Sequence, residues 1–211
     1  MSKLKVIYNQ EYDIQRVIDT IKKIDWFVQN NYNYKNFPFP KALDKEKLKS
    51  YSEQEIKDAV IAEYSNDLYK ENEKFLLDNW EKASQEIDSA FPKSGLRVQE
   101  EYKIYLTKYG TGGSYNLPNT VIVNVTFSSK MKIIQLIIHE MIHLAIEEDI
   151  LKYKIGQAQK ERIVDLYFIK NFPRRVFTQN AYMSMDTEKI DQTFDDKYPD
   201  INEVIKEIAK K

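Results

Sequence analysis

The chain contains two histidines, His139 and His143, and both fall four residues apart inside its most apolar stretch, Ile133 to Ile146. On a helix that spacing places the two imidazoles one turn apart on the same face. Glu140 follows the first of them. A buried helix carrying two imidazoles and a carboxylate incurs a desolvation cost unless something binds them. The fold must therefore bury this helix and also give its polar triplet a partner. The stretch is interrupted by Gln135, His139, Glu140 and His143 and is too short for a bilayer, so it reads as a core helix. Chance is a weak explanation: 18 of the 211 residues are Glu, and the joint odds of the spacing and the glutamate are on the order of one in a thousand.

The partner that suits such a helix is a metal ion. Histidines in an HExxH pattern can both reach one zinc, and the intervening Glu140 can point its carboxylate at metal-bound water. Zinc lowers the pKa of that water from ~16 toward ~7, and the carboxylate can take its proton. A catalytic zinc needs three protein ligands and an open position. With no cysteine and no third histidine in the chain, the third ligand must be Asp or Glu. Glu147, Glu148 and Asp149 lie further along the same helix, which runs away from a metal held by two of its turns. Glu161 is better placed, on a following helix that a short break folds back antiparallel. Asp165, one turn later among Ile163, Val164, Leu166 and Phe168, can accept a hydrogen bond from the far nitrogen of a liganding imidazole. The run Glu147 to Asp149 otherwise reads as a solvated helix end, with a preference for cationic substrate groups as the alternative.

Along the chain, Leu4 to Tyr8 reads as a strand and Ile14 to Val28 as a helix, followed by a loop over Asn30 to Pro40. Ser52, with Glu55 three residues on, opens a long helical region with an apolar stripe through Leu76, Trp80, Ala83, Ile87 and Phe91 that Pro92 ends. Leu96 to Leu106 is strand-like, Gly110 to Ser114 is a turn, and Thr120 to Phe127 alternates as a second strand. Ser128 or Ser129 caps a helix to about Ile150, and another runs from Gln157 to Asn171. Arg174 to Tyr198 reads as an irregular tail before a final amphipathic helix through Ile201, Val204, Ile205 and Ile208. The expectation is one domain over 1–211: a mainly helical part to residue 92, a sheet with the metal helices over 93–173, and a tail with a helix over 174–211.

Several function classes drop out. Without cysteine, disulfide scaffolds, thiolate metal sites and cysteine nucleophiles are excluded. Lys plus Arg total 32 against 33 Asp plus Glu, which leaves no cationic excess for coating nucleic acid. The segment Met1 to Asp13 lacks the uninterrupted apolar core of a secretory signal, so a cytoplasmic location away from membranes is expected.

His139, Glu140 and His143, then Glu161 and Asp165, resemble the HExxH and ExxxD pattern of the gluzincin zinc metallopeptidases. The resemblance covers about Thr120 to Asn171. It implies one catalytic Zn2+ on His139, His143 and Glu161, with Glu140 as general base and then acid and Asp165 hydrogen-bonded to the first histidine. It also implies an α+β, zincin-like fold: a small mixed or antiparallel sheet on the active-site helix, with extra N-terminal helices. In that family an edge strand before the helix binds peptide by strand addition; Val123, Asn124 and Val125 of Thr120 to Phe127 are similar in position. The family commonly supplies a His or Tyr to stabilise the oxyanion. With no histidine left, Tyr182 is taken for this role, ahead of Tyr167, Tyr153, Arg174 and Arg175. The function implied is hydrolysis of peptide bonds in a peptide or protein substrate. The alternatives are an inactive zincin-fold protein that serves as a binding module, using the groove or the helices over 52–91 for a partner, and a latent peptidase with Asn30 to Phe91 or the tail blocking its cleft.

Overall fold

A computed structural model describes residues 2–126, 129–173 and 186–210. Strand β1 (Lys3–Ile7) leads into helix α1 (Gln10–Lys22), whose Asn9 cap accepts from the Tyr12 amide. The expected single helix breaks at Lys23, and α2 (Ile24–Gln29) follows. After a loop with short 3-10 turns comes α3 (Glu53–Glu63), opened by the expected reciprocal pairing of Ser52 and Glu55. The helical region then breaks at Tyr64 before α4 (Asp67–Lys93), which carries Pro92 inside its last turn.

Strands β2 (Glu101–Thr107), β3 (Gly113–Asn116) and β4 (Thr120–Asn124) join β1 in a mixed sheet of order β1-β2-β4-β3. The β1–β2 and β2–β4 pairs are parallel, and β3 lies antiparallel to β4. This corrects two expectations. Gly113 to Asn116, taken partly as turn, is a strand and holds the sheet edge. Val123 and Asn124 are therefore interior: β4 is paired on both sides, with Val123 opposite Gly113. Val125 has left the strand and gives its amide to the Thr107 carbonyl. None of these three offers an unpaired edge to a peptide.

Helix α5 (Lys130–Tyr153) is apolar on nearly every side, and Ile133, Ile137, Ile138, Met141 and Ile142 are all buried. A helix of that kind belongs inside a core, and it packs on β3, β4, α4 and two of the helices that follow, the first and the last. Lys154, in a left-handed conformation (φ 55°), closes it, and three residues separate it from α6 (Gln157–Asn171). In the tail read as irregular, α7 (Glu188–Lys197) buries Ile190 and Phe194 and is tied to α6 by Arg162 Nη2 to Asp191 at 2.6 Å. Helix α8 (Ile201–Ile208) buries all four of its expected apolar residues.

Two hydrophobic clusters result. The larger joins the sheet with α4 to α8; the smaller, built from Ile14, Val17, Phe27, Leu48, Val60 and their neighbours, joins α1, α2, the loop and α3. The boundary between them thus precedes α4 instead of following it at residue 92. Asp13 fastens α1 to the larger body, accepting from the Thr107 hydroxyl at 2.7 Å and from the Tyr69 hydroxyl. Among the described residues no helix is long and apolar enough to cross a membrane.

Candidate metal centre

Helices α5 and α6, folded back on each other, bring His139, His143 and Glu161 together, all buried. The two Nε2 atoms are 3.0 Å apart, and Glu161 Oε2 lies 3.2 Å from His143 Nε2 and 3.5 Å from His139 Nε2. Three ligands at about 2.1 Å around a tetrahedral zinc would stand about 3.4 Å from one another, so the spacing fits one ion. The chemistry fits as well. Glu161 Oε2 is buried with no hydrogen-bond partner, a state that is costly unless a cation satisfies it. This group can hold a metal ion. Burial pushes the Glu161 carboxyl up, but the His143 and His139 rings more than offset this and hold it below the usual carboxylate range.

Neighbouring side chains fix each ligand. Glu161 Oε1 accepts from Gln157 Nε2 at 2.6 Å. The Tyr115 ring stacks on His143, with centroids 5.1 Å apart and planes within 9°. Tyr115 donates to Glu147 at 2.6 Å and accepts from Lys160 at 2.9 Å. Glu147 is thus half-buried and engaged, which corrects its reading as part of a solvated helix end. Asp165, fully buried, stands 3.7 Å from His139 Nδ1, on the side of the ring away from the cluster. That distance is within ion-pair range and longer than a hydrogen bond.

Glu140 lies beside the cluster without belonging to it. Burial pushes its carboxyl up to about 7, His139 pulling it down and Glu161 adding to the rise. Edge strand β3 passes so close that a Cβ on Gly113 would lie 2.3 Å from Glu140 Oε1. Any larger residue at Gly113 would displace the Glu140 carboxylate, and no signal in the sequence marked this beyond the turn-like Gly110–Gly113 run.

Glu140, His143 and Glu161 open on a cleft of about 1310 Å3 between the two hydrophobic clusters. Its near wall is β3. Its far wall comes from the N-terminal helices and loop, including Arg16, Trp26, Phe27 and Tyr32. The N-terminal part therefore forms one wall of the cleft. Burial together with the nearby Glu161 charge pushes the Tyr32 hydroxyl up to about 12, with Gln157 pulling it the other way. Tyr182, Arg174 and Arg175 lie outside the described residues. Tyr167 is buried in the core against Phe91, and neither it nor Tyr153 lines the cleft. No protein-family model matches the chain, and no curated protein or solved structure matches it significantly.

Proposed function

We propose that this chain is a zinc-dependent peptidase of the gluzincin type, with a zincin-like domain and a cleft walled on one side by its N-terminal helices. The observation that carries the reading is the buried His139–His143–Glu161 group, with Glu140 beside it, opening on a cleft walled by an edge strand. A bound zinc ion would supply Lewis acidity, lowering the pKa of water and polarising a carbonyl. The chain's own groups do the rest. The free edge of β3 pairs with the backbone of an extended peptide. Glu140 takes a proton from the attacking water and passes it to the leaving amine. Asp165 holds the His139 ring from behind, and Tyr115 holds the His143 ring from the side. Glu140, His143 and Glu161 line a cleft large enough for a peptide segment, and this favours hydrolysis over the binding reading.

Chelation tests this proposal. Stripped protein should cleave no peptide in a diverse library, and one equivalent of zinc should restore cleavage. A zinc-loaded protein that cleaves nothing in that library overturns the reading.

Tyr182, expected in the oxyanion role, lies outside the described residues; among the described ones the role falls to Tyr32 in this proposal. Tyr32 and Tyr115 both line the cleft near Glu161 and Glu140, but the Tyr115 hydroxyl is already engaged by Glu147 and Lys160, which leaves Tyr32 for the role. Removing one such donor costs roughly 100-fold in kcat. Tyr32→Phe should show that loss with KM little changed. An unaltered kcat would remove Tyr32 from the mechanism.

A further inference from the structure

Arg16 reaches into the cleft from α1 and is only partly used there. One Nη donates to the Thr111 hydroxyl at 2.8 Å, and that hydroxyl donates to the Gly113 carbonyl at 2.8 Å. The guanidinium is therefore fastened to the loop that leads into β3, next to Glu140. The chain makes room for it: Gly110, at φ +75°, would with a Cβ press on Arg16 Nε at 2.9 Å. Nε is buried without a hydrogen-bond partner, and no carboxylate of the described residues lies within ion-pair distance of Arg16, although the charges of Glu140 and Asp19 act on the guanidinium in its favour. Lys23 and Lys132 also line the cleft without an ion pair among the described residues, whereas Asp19, the acidic residue on that wall, is engaged by Gln15.

A desolvated, planar fork of donors with most of its hydrogen bonds unmade is suited to a bidentate carboxylate. The flanking lysines bias the cleft toward anions. We propose that Arg16 anchors a carboxylate of the substrate, so that the cleft selects peptides presenting an acidic group close to the scissile bond. This rests on the peptidase reading. It runs opposite to the preference for cationic groups that the acidic run Glu147 to Asp149 suggested.

Two sources of carboxylate are separable. Zinc-loaded protein is given matched peptides with a free C-terminus, with an amidated C-terminus, and with an amidated C-terminus plus an internal Glu or Asp. Cleavage should favour a carboxylate-bearing set over the neutral amide roughly 10- to 100-fold in kcat/KM, the worth of a charge-assisted hydrogen bond. A preference that follows the chain end assigns the anchor to the terminal acid, and one that follows Glu or Asp assigns it to a side chain. In Arg16→Met the ratio should collapse toward one, and Arg16→Lys should restore part of it. Trp26, on the cleft wall, gives a readout that needs no turnover. Its fluorescence in metal-free protein should report tighter binding of an N-acetylated dipeptide acid than of the same dipeptide amide. Equal cleavage and equal binding of acid and amide overturn the role of Arg16 and leave hydrolysis standing. A zinc-loaded protein that cleaves nothing overturns hydrolysis, and the fluorescence titration then decides the carboxylate site alone.

Discussion

Glu140→Gln should keep its metal and lose peptide hydrolysis by roughly 100- to 10,000-fold, the usual contribution of a positioned general base. The substitution changes little else. Glutamine has the same reach and nearly the same volume, so the contact between this side chain and Gly113 persists and β3 keeps its place. The group that could hold a metal ion is His139, His143 and Glu161, and it does not include Glu140. What disappears is the ability to accept a proton. In the native chain burial holds the carboxyl at about 7, close to neutrality, which suits a group that must both take and return a proton. Metal content measured beside the rate separates the two possible failures. Loss of both would mean that Glu140 shapes the site, whereas full activity in Glu140→Gln with zinc bound would reject the mechanism.

The parts of this protein that were legible in the sequence are those governed by local periodicity and capping. The α6 boundaries, the Ser52–Glu55 cap and the apolar face of α8 follow from side chains within a turn of one another. The meeting of His139, His143 and Glu161 was legible for a related reason: the two histidines share a turn of α5, and the short break after Tyr153 leaves α6 little choice but to return along it. What escaped depends on contacts distant in sequence. Strand β3 has four residues, Gly-Ser-Tyr-Asn, with weak strand propensity, and becomes a strand because the turn after Asn116 lays it against β4. Taking β4 for the edge followed from missing that strand. Helix α7 is held by Asp191 and Phe194 meeting α6 and the core, which a polar segment does not advertise. Arg16 and Tyr32 reach the cleft across more than a hundred positions of chain, and nothing near them in sequence marks them. Glu147 illustrates the same limit: its neighbours predict exposure, but Tyr115 and Lys160 arrive from other elements.

Glu161→Gln should weaken zinc binding more than about 100-fold, beyond the loss typical of groups that only support a ligand. The native carboxylate brings a negative charge to the two imidazoles, and its Oε2 has no other hydrogen-bond partner to turn to. Glutamine keeps the shape and the contact with Gln157 but offers a neutral oxygen to the ion. Linkage turns this into a stability difference. At a zinc concentration 1,000 times the native Kd, binding adds about 4.1 kcal/mol to the folded state; a 100-fold weaker site leaves about 1.4 kcal/mol. For a chain of this size each kcal/mol moves Tm by roughly 2 to 4 °C. Zinc should therefore raise the native Tm by roughly 8 to 16 °C and that of the variant by roughly 3 to 6 °C. Melting both proteins with and without zinc, beside a direct titration, reads the effect without any assay of turnover. Glu161→His, which restores a strong donor on the same turn, should recover part of the shift. Equal zinc affinity in native protein and Glu161→Gln would mean that the ion is held by other groups, and the pairing of α5 with α6 would then have a purely structural origin.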